Sequence, residues 1–430
     1  MESAGWDCVS SRTVSKLSFD PALDYYHPQQ GFHVKLTVNT TGSIGSDTIM
    51  SGAGDTISGV GGNINIIGAA GDIISIGAGT AVVNAMAGNE LITLGSGAAT
   101  VFGGAGDTII GGTGSAYIDG TRGHMAITAG AAGFDWIFSG AGDTIKAGAA
   151  DATIIGAAGD NIATGTGSVI VNAMAGNEFV TLGAGNDTVF SGTGNTILTG
   201  AANAIVMGGA GDNITAGTGS VVINAVAGNE RITLGSGPAS VFGGVGDTII
   251  GGTGSVYIDG TRGHMSITVG ATGSDMIFSG IGDTIWGGGA NANMVGAWGD
   301  VISTGTGNAV VNAMAGNELI TLGSGAATVF GGAGDTIVGG AGNAYVDLIA
   351  GHAGGQFLQA GNGNDSSAQD TVCNFSQSTG DRILGEAPSQ ITRILATQQT
   401  DGNGNAVIRL HDGSAITFVG IHHVDSSFFG

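Results

Sequence analysis

Proline, cysteine and positive charge are all scarce in this chain, and each shortage removes a class of protein. Four prolines in 430 residues exclude a collagen or polyproline helix, despite 87 glycines. Two cysteines, Cys8 and Cys373, cannot build a disulfide framework, and a single bridge between the two end segments is the one pairing open to them. Ten Lys and Arg stand against 33 Asp and Glu, a formal charge of −23. Such a polyanion repels phosphate backbones, which excludes nucleic acid as a partner and suits cation binding and solubility. No apolar run is long enough to span a bilayer, so no transmembrane segment is expected. The N-terminal stretch MESAGWDCVSSRTVSKL has no apolar core of signal-peptide type. The chain is therefore cytosolic, or it leaves the cell by a route that does not read the N-terminus.

What the chain has instead is glycine in register with aliphatic residues. Hydrophobic residues make up 42% and the mean hydropathy is +0.31, so disorder, the usual meaning of so much glycine, does not fit. Cutting after each Gly-x-Gly from Asp55 gives DTISGVGG, NINIIGAAG, DIISIGAG, TAVVNAMAG, NELITLGSG, AATVFGGAG, DTIIGGTG and SAYIDGTRG, continuing to about Gly351. Each unit is a short segment alternating with period two, the mark of a strand, and helical spacing does not appear. The glycines fall at corners, where tight turns call for positive φ.

Two units make one coil of about 17–19 residues, so 55–351 holds about 17 coils. At about 4.8 Å per stacked strand these would run for roughly 80 Å. Ile109, Ile118 and Val101 are expected to point inward and stack on their equivalents, giving a thin core stabilised by neighbouring coils. The fold class predicted is all-β: a parallel β-solenoid, β-roll-like, with capping segments at both ends. Three segments follow: 1–47, an N-terminal capping or docking segment; 48–351, the repeats; and 352–430, a C-terminal cap. A longer period lies on top. NAMAGNE at 84–90 returns as NAVAGNE at 224–230, and GGTGSAYIDGTRGHMAIT at 111–128 returns as GGTGSVYIDGTRGHMSIT at 251–268, both at the same offset. Doubling a block of coils favours a structural role over a catalytic one.

The first residue of every second unit forms a column down the stack: Asp55, Asp72, Asn89, Asp107, His124, Asp143, Asp160, Asn177, Asn195, Asp212, Asn229, Asp247, His264, Asp283, Asp300, Asn317 and Asp335. Carboxylates stacked about 5 Å apart repel unless something intervenes. One reading is a ladder of Ca²⁺ sites made from these Asp side chains and turn carbonyls. The other is a structural ladder in which each Asp or Asn accepts hydrogen bonds from its own turn. The five Asn show that charge is not required at the corner.

The repeats resemble the RTX (repeats-in-toxin) nonapeptide G-G-x-G-x-D-x-U-x. GGAGDTI at 103–109 and GGVGDTI at 243–249 are one residue short of it, whereas GAGNDTVF at 183–190 and GNGND at 361–365 have the full spacing. That resemblance implies a parallel β-roll with Ca²⁺ at its turns, and Asp187 and Asp365 as the best calcium candidates. The tail, QDTVCNFSQSTGDRILG (369–385) followed by NAVIRLHDGSAITFVGIHHVDSSFFG (405–430), is similar to the C-terminal segment of RTX proteins exported by type I secretion. The similarity implies an uncleaved C-terminal signal, the type I secretion machinery as a partner, and a secreted, extracellular or cell-surface location. A plain polar cap on the solenoid end is the simpler reading of the same residues.

Residues 1–47 differ in kind, with Arg12, Lys16 and Lys35 beside Trp6, Phe19, Tyr25, Tyr26 and Phe32. A first coil exposes strand edges, so this segment is expected to cap them or to dock head-to-tail on another copy. Enzyme signatures are absent: no G-x-S-x-G, H-E-x-x-H or P-loop occurs. His422 and His423 lie in the tail, His124 and His264 recur with the repeat, and Asp119–Arg122 and Asp259–Arg262 are expected to pair locally. The expected function is a non-enzymatic, secreted structural solenoid that assembles with itself, head-to-tail or laterally, into a filament, surface layer or biofilm matrix. The alternative is a calcium-stabilised adhesin or other surface-binding module. Ice binding ranks lower, because Thr56, Thr108 and Thr144 sit beside corners.

Overall fold

The computed structural model describes residues 9–10, 16–18, 37–39, 46–59, 61–348, 357–359, 369–384, 386–410, 413 and 415–430. The chain is a parallel β-solenoid of about 18 turns, 45% strand and 4% helix, and 17 of its wider-sheet strands fall within 55–351, as the repeat count predicts. It divides into two compact units, Met1–Asn213 and Ile214–Gly430. In both, each turn contributes one strand to a wider sheet and one to a narrower sheet.

In the first unit the wider sheet stacks Ala99–Gly103, Ala116–Gly120 and Phe134–Ser139, with Val101 opposite Ile118 and Ile118 opposite Ile137. The narrower sheet stacks Thr108–Ile110, Ala126–Thr128 and Thr144–Lys146, with Ile109 against Ile127 and Ile127 against Ile145. Period-two alternation and parallel in-register pairing together put one aliphatic rank from each sheet inside. Ile109, Ile118 and Val101 are completely buried, as expected. The second unit repeats the plan, with Ile258 opposite Ile277 and Ile249 opposite Ile267.

The glycines have two origins, of which the sequence suggested one. At the corner entering the narrower sheet, Gly106 has φ +81 and fits the positive-φ argument. At the opposite corner Gly112 has an ordinary φ, but a Cβ there would lie 1.8 Å from the carbonyl oxygen of Gly95 in the coil before. The coils touch backbone to backbone at that corner, and no side chain fits. Thr56, Thr108 and Thr144 open strands of the narrower sheet, directly after the corner residues Asp55, Asp107 and Asp143, which is where the sequence placed them.

Both ends reverse strand direction. Val9–Ser10 runs antiparallel to Ser46–Met50, and Lys16–Ser18 antiparallel to Thr37–Asn39. At the other end Ala415–Phe418 adds in parallel to Gln369–Cys373, and Ala406–Arg409 and Gln399–Thr400 follow antiparallel. The edge strands Val9–Ser10 and Gln399–Thr400 are two residues long. Short terminal strands blunt an open sheet edge. Phe375, Phe418 and Phe428 cluster at the C-terminal end, with ring centroids 5.2–6.1 Å apart. The helix Pro388–Ala396, in a chain whose repeats show no helical spacing, belongs to this end. Cys8, Asp365, Arg12, Lys35, Trp6, Phe19, Tyr25, Tyr26 and Phe32 lie outside the described residues, as does any Cys8–Cys373 pairing.

Candidate functional site: a buried acid column and two outer faces

The acid column exists, but it runs inside the solenoid and partly through other residues. In the first unit it comprises Asp55, Asp72, Glu90, Asp107, Met125, Asp143, Asp160, Glu178, Asn195 and Asp212, and in the second Glu230, Asp247, Met265, Asp283, Asp300, Glu318 and Asp335, all buried. Asn89, His124, Asn177, Asn229, His264 and Asn317, placed in the column by counting, are instead exposed residues with φ between 57 and 60. These coils hold one extra residue, which is accommodated in the left-handed region that Asn and His tolerate better than most side chains. The insertion moves the next residue, Glu or Met, into the column.

The column is a hydrogen-bonded ladder. From Asp72 to Asp335 each aspartate uses Oδ1 to accept the N–H of the column residue one coil earlier. Its Oδ2 accepts the N–H three residues upstream in its own turn, and all these bonds measure 2.6–2.9 Å. Asp107 shows the unit: Oδ1 takes Glu90 N–H at 2.8 Å and Oδ2 takes Gly104 N–H at 2.7 Å. Asp55 takes Gly52 N–H in the same way. Both carboxylate oxygens are thus committed to backbone donors that would otherwise be buried without partners. This is the geometry of the hydrogen-bonded alternative for the corner.

A second acid set occupies the opposite corner. Asp187 is buried in Asn186–Ser191, where Oδ1 accepts Val169 N–H at 2.9 Å and Oδ2 accepts Thr164 Oγ1–H at 2.8 Å. Asp135 accepts Ala116 N–H and Gly130 N–H, and Asp275 accepts Val256 N–H and Gly270 N–H, with the same roles. Counting from the column overlooked Asp135 and Asp275. The shared signal is G-x-D at the start of a wide strand: GFD, GND and GSD.

The glutamates were missed for a different reason. Five long column side chains are each matched by a glycine just over one coil upstream, where a Cβ would collide with them. Glu90 faces Gly68 at 2.7 Å, and Glu178 and Glu318 face Gly156 and Gly296 at 2.5 Å; Met125 and Met265 face Gly103 and Gly243 at 2.2 Å. The carboxyl oxygens of Glu90 and Glu178 meet no hydrogen-bond donor in good geometry. Burial first, and then the carboxylates of Asp107 and Asp72, pushes Glu90 up to about 8. Burial and Asp160 push Glu178 up to about 7, and burial and Asp335 push Glu318 up to about 9. Asp143 and Asp283 are raised to about 6, mainly by burial. Glu90 and Glu318 are therefore mostly neutral acids at pH 7.

Other candidates make ordinary local contacts. Asp119 accepts Thr121 N–H and Oγ1–H, while the Arg122 guanidinium reaches Met86 Sδ at 3.3 Å, so the expected Asp119–Arg122 pair is replaced by a turn bond. Asp259 makes the same bonds to Thr261. His422 Nδ1 lies 2.7 Å from the Gly404 carbonyl, and His423 Nδ1 lies 2.6 Å from Gln398 Nε2. Among the described residues no group of three or more His, Cys, Asp or Glu is placed to hold a metal ion, and no helix is long and apolar enough to cross a membrane.

What the interior does not use lies on the outer faces. On the wider sheet of the first unit, Phe102, Tyr117, Phe134 and Trp136 are 37–45% exposed. Tyr117 and Phe138 are 5.4 Å apart between centroids, and Trp136 and Phe138 6.3 Å. In the second unit Phe242, Tyr257 and Phe278 form the equivalent row. Among the described residues of 46–348 this face carries no Lys or Arg, and its acids include Asp119, Asp151, Asp259 and Asp347. No family model, no curated protein and no solved structure matches the chain.

Proposed function

We propose that this chain is a secreted structural protein whose solenoid is a building block of an extracellular filament, surface layer or biofilm matrix, and that it is not an enzyme. One observation carries the reading. The column aspartates are spent inside on backbone N–H groups, while the outer face of the wider sheets repeats exposed aromatics and carries no Lys or Arg among the described residues of 46–348. Apolar surface left in ranks on a soluble chain marks a contact surface. The tail's similarity to type I secretion signals supports export, and the net charge of −23 supports solubility before assembly.

In this reading the described corner aspartates hold turns and do not bind Ca²⁺, because both oxygens of each already accept a hydrogen bond and the side chains are buried. The alternative, a calcium-stabilised surface-binding module, is favoured by the Asp-rich corners themselves and by the RTX-like spacing at Asp187. Negative-stain electron microscopy of the purified protein, in calcium and in EDTA, tests the choice. Fibres or sheets under both conditions support the structural reading. Isolated particles under both conditions remove it, and assemblies lost in EDTA move the weight to calcium.

A further inference from the structure

The two units differ where the duplicated blocks should be most alike. The wide strand Phe134–Ser139 of the first unit corresponds, at the offset of the duplication, to Ser274–Ser279 of the second. Around these strands the blocks keep their spacing, but Phe134 has become Ser274 and Trp136 has become Met276. The first unit therefore carries an aromatic ridge, with Phe134 and Trp136 42% and 45% exposed and 6.1 Å apart between centroids. At the corresponding place in the second unit there is an open groove of about 560 Å³. Ser274, Met276, Asn291, Asn293, Asn308 and Val310 line it.

We infer that the groove's occupant is the Phe134–Trp136 ridge of a second copy of this chain. The inference rests on the self-assembly reading above and names its contact. Three observations select a second copy. Ridge and groove lie on sheets of the same strand spacing, about 4.8 Å, so their rows stay in step across many coils. A partner with another surface pitch would lose register after a few. The ten parallel strands of the first unit's wider sheet, from Ser46–Met50 to Asn203–Met207, about 16 Å wide, present roughly 750 Å², close to the roughly 800 Å² per partner of a standard stable interface. The face also lacks basic residues and holds few acids. Two chains of charge −23 can therefore meet there with least repulsion, around a centre of exposed aromatics.

Ridge and groove are different patches on one chain, so the contact is heterologous. Each copy keeps one of each free, and growth continues unless the geometry closes a ring. The two-residue edge strands Val9–Ser10 and Gln399–Thr400 point the same way, since strands this short offer little backbone for end-to-end pairing.

The test exchanges residues that the fold already carries at equivalent positions, so folding is preserved by design. Sedimentation velocity would compare the full chain with F134S/W136M, which removes the ridge, with S274F/M276W, which fills the groove, and with all four changes together. The expected result is concentration-dependent growth in the parent, at least a tenfold weaker association in each pair variant, and recovery in the fourfold variant, where ridge and groove have changed places. Circular dichroism spectra should be the same in all four. Association should strengthen with added salt, because screening relieves like charge. A parent that stays monomeric overturns both this inference and the self-assembly reading. A parent that assembles while either pair variant assembles equally well, or while the fourfold variant fails to recover, overturns the ridge and groove alone.

Discussion

Raising the pH should loosen this solenoid, and the buried glutamates set by how much. Glu90 is held at about 8 and Glu178 at about 7, against an ordinary 4.5. A folded-state value above the unfolded one means that the folded chain binds the extra proton. The stabilisation is complete below about 4.5 and is lost as pH rises through 7–8 for Glu178 and Glu90, and through about 9 for Glu318. At about 1.4 kcal/mol per pKa unit, going from pH 5 to pH 9 costs roughly 4 kcal/mol at Glu90 and about 2–3 kcal/mol at Glu178. Gln has the shape of the protonated acid and cannot ionise. Glu90→Gln and Glu178→Gln together should leave the unfolding free energy at pH 5 within about 1 kcal/mol of the parent and raise it clearly at pH 9. The assay is urea unfolding followed by far-ultraviolet circular dichroism at half-unit pH steps. Curves for parent and variant that stay parallel from pH 5 to pH 9 would refute the reasoning.

Three further outcomes follow from the packing. Asp107→Ala strands the Glu90 and Gly104 N–H groups, each costing about 1–3 kcal/mol when buried unpaired, and local hydrogen exchange should speed accordingly; unchanged protection there would mean that the ladder bonds are dispensable. Gly112→Ala puts a Cβ 1.8 Å from the Gly95 carbonyl and should disrupt the coils, whereas Gly71→Ala, with φ +81 and no atom within 4 Å, should cost only about 1–2 kcal/mol of backbone strain; equal midpoints would contradict the backbone-contact account. Ile109→Asp buries a charge in the aliphatic stack and should unfold or shorten the solenoid, while Asn89→Asp, on an exposed corner, should fall within about 1 kcal/mol of the parent. Both are checked by expression and thermal unfolding, and similar behaviour of the two would mean that the inward rank is misassigned.

The stack was legible because its period is short and its core simple. Alternation alone placed Val101, Ile109 and Ile118 inside, and glycine spacing alone gave the corners. The site was less legible, since a fixed-length cut cannot register a one-residue insertion. GNE and GHM each add a residue with positive φ, so counting put Asn89 and His124 where Glu90 and Met125 belong. The clue was present at longer range, in the glycine just over a coil before these long side chains, but it has meaning only once coils are stacked. The direction of an Asp is likewise invisible in a repeat motif. GAGNDTVF matches a calcium-binding spacing, yet Asp187 faces inward to Val169 N–H and Thr164. The exchange of Phe134 and Trp136 for Ser274 and Met276 between the duplicated blocks was readable in the sequence, but the groove that Ser274 and Met276 help to line was not.

The central claim is that the corner acids hold the fold as hydrogen-bond acceptors, leaving function to the outer faces. Hydrogen exchange read by mass spectrometry on peptides covering 88–126, in calcium and then in EDTA, tests it most directly. The account predicts the same protection of the Glu90, Gly104 and Met125 amides in both, because their acceptors are Asp107 and Asp143 themselves. Protection that collapses by tenfold or more when calcium is removed would contradict it, and would make the column a metal ladder after all.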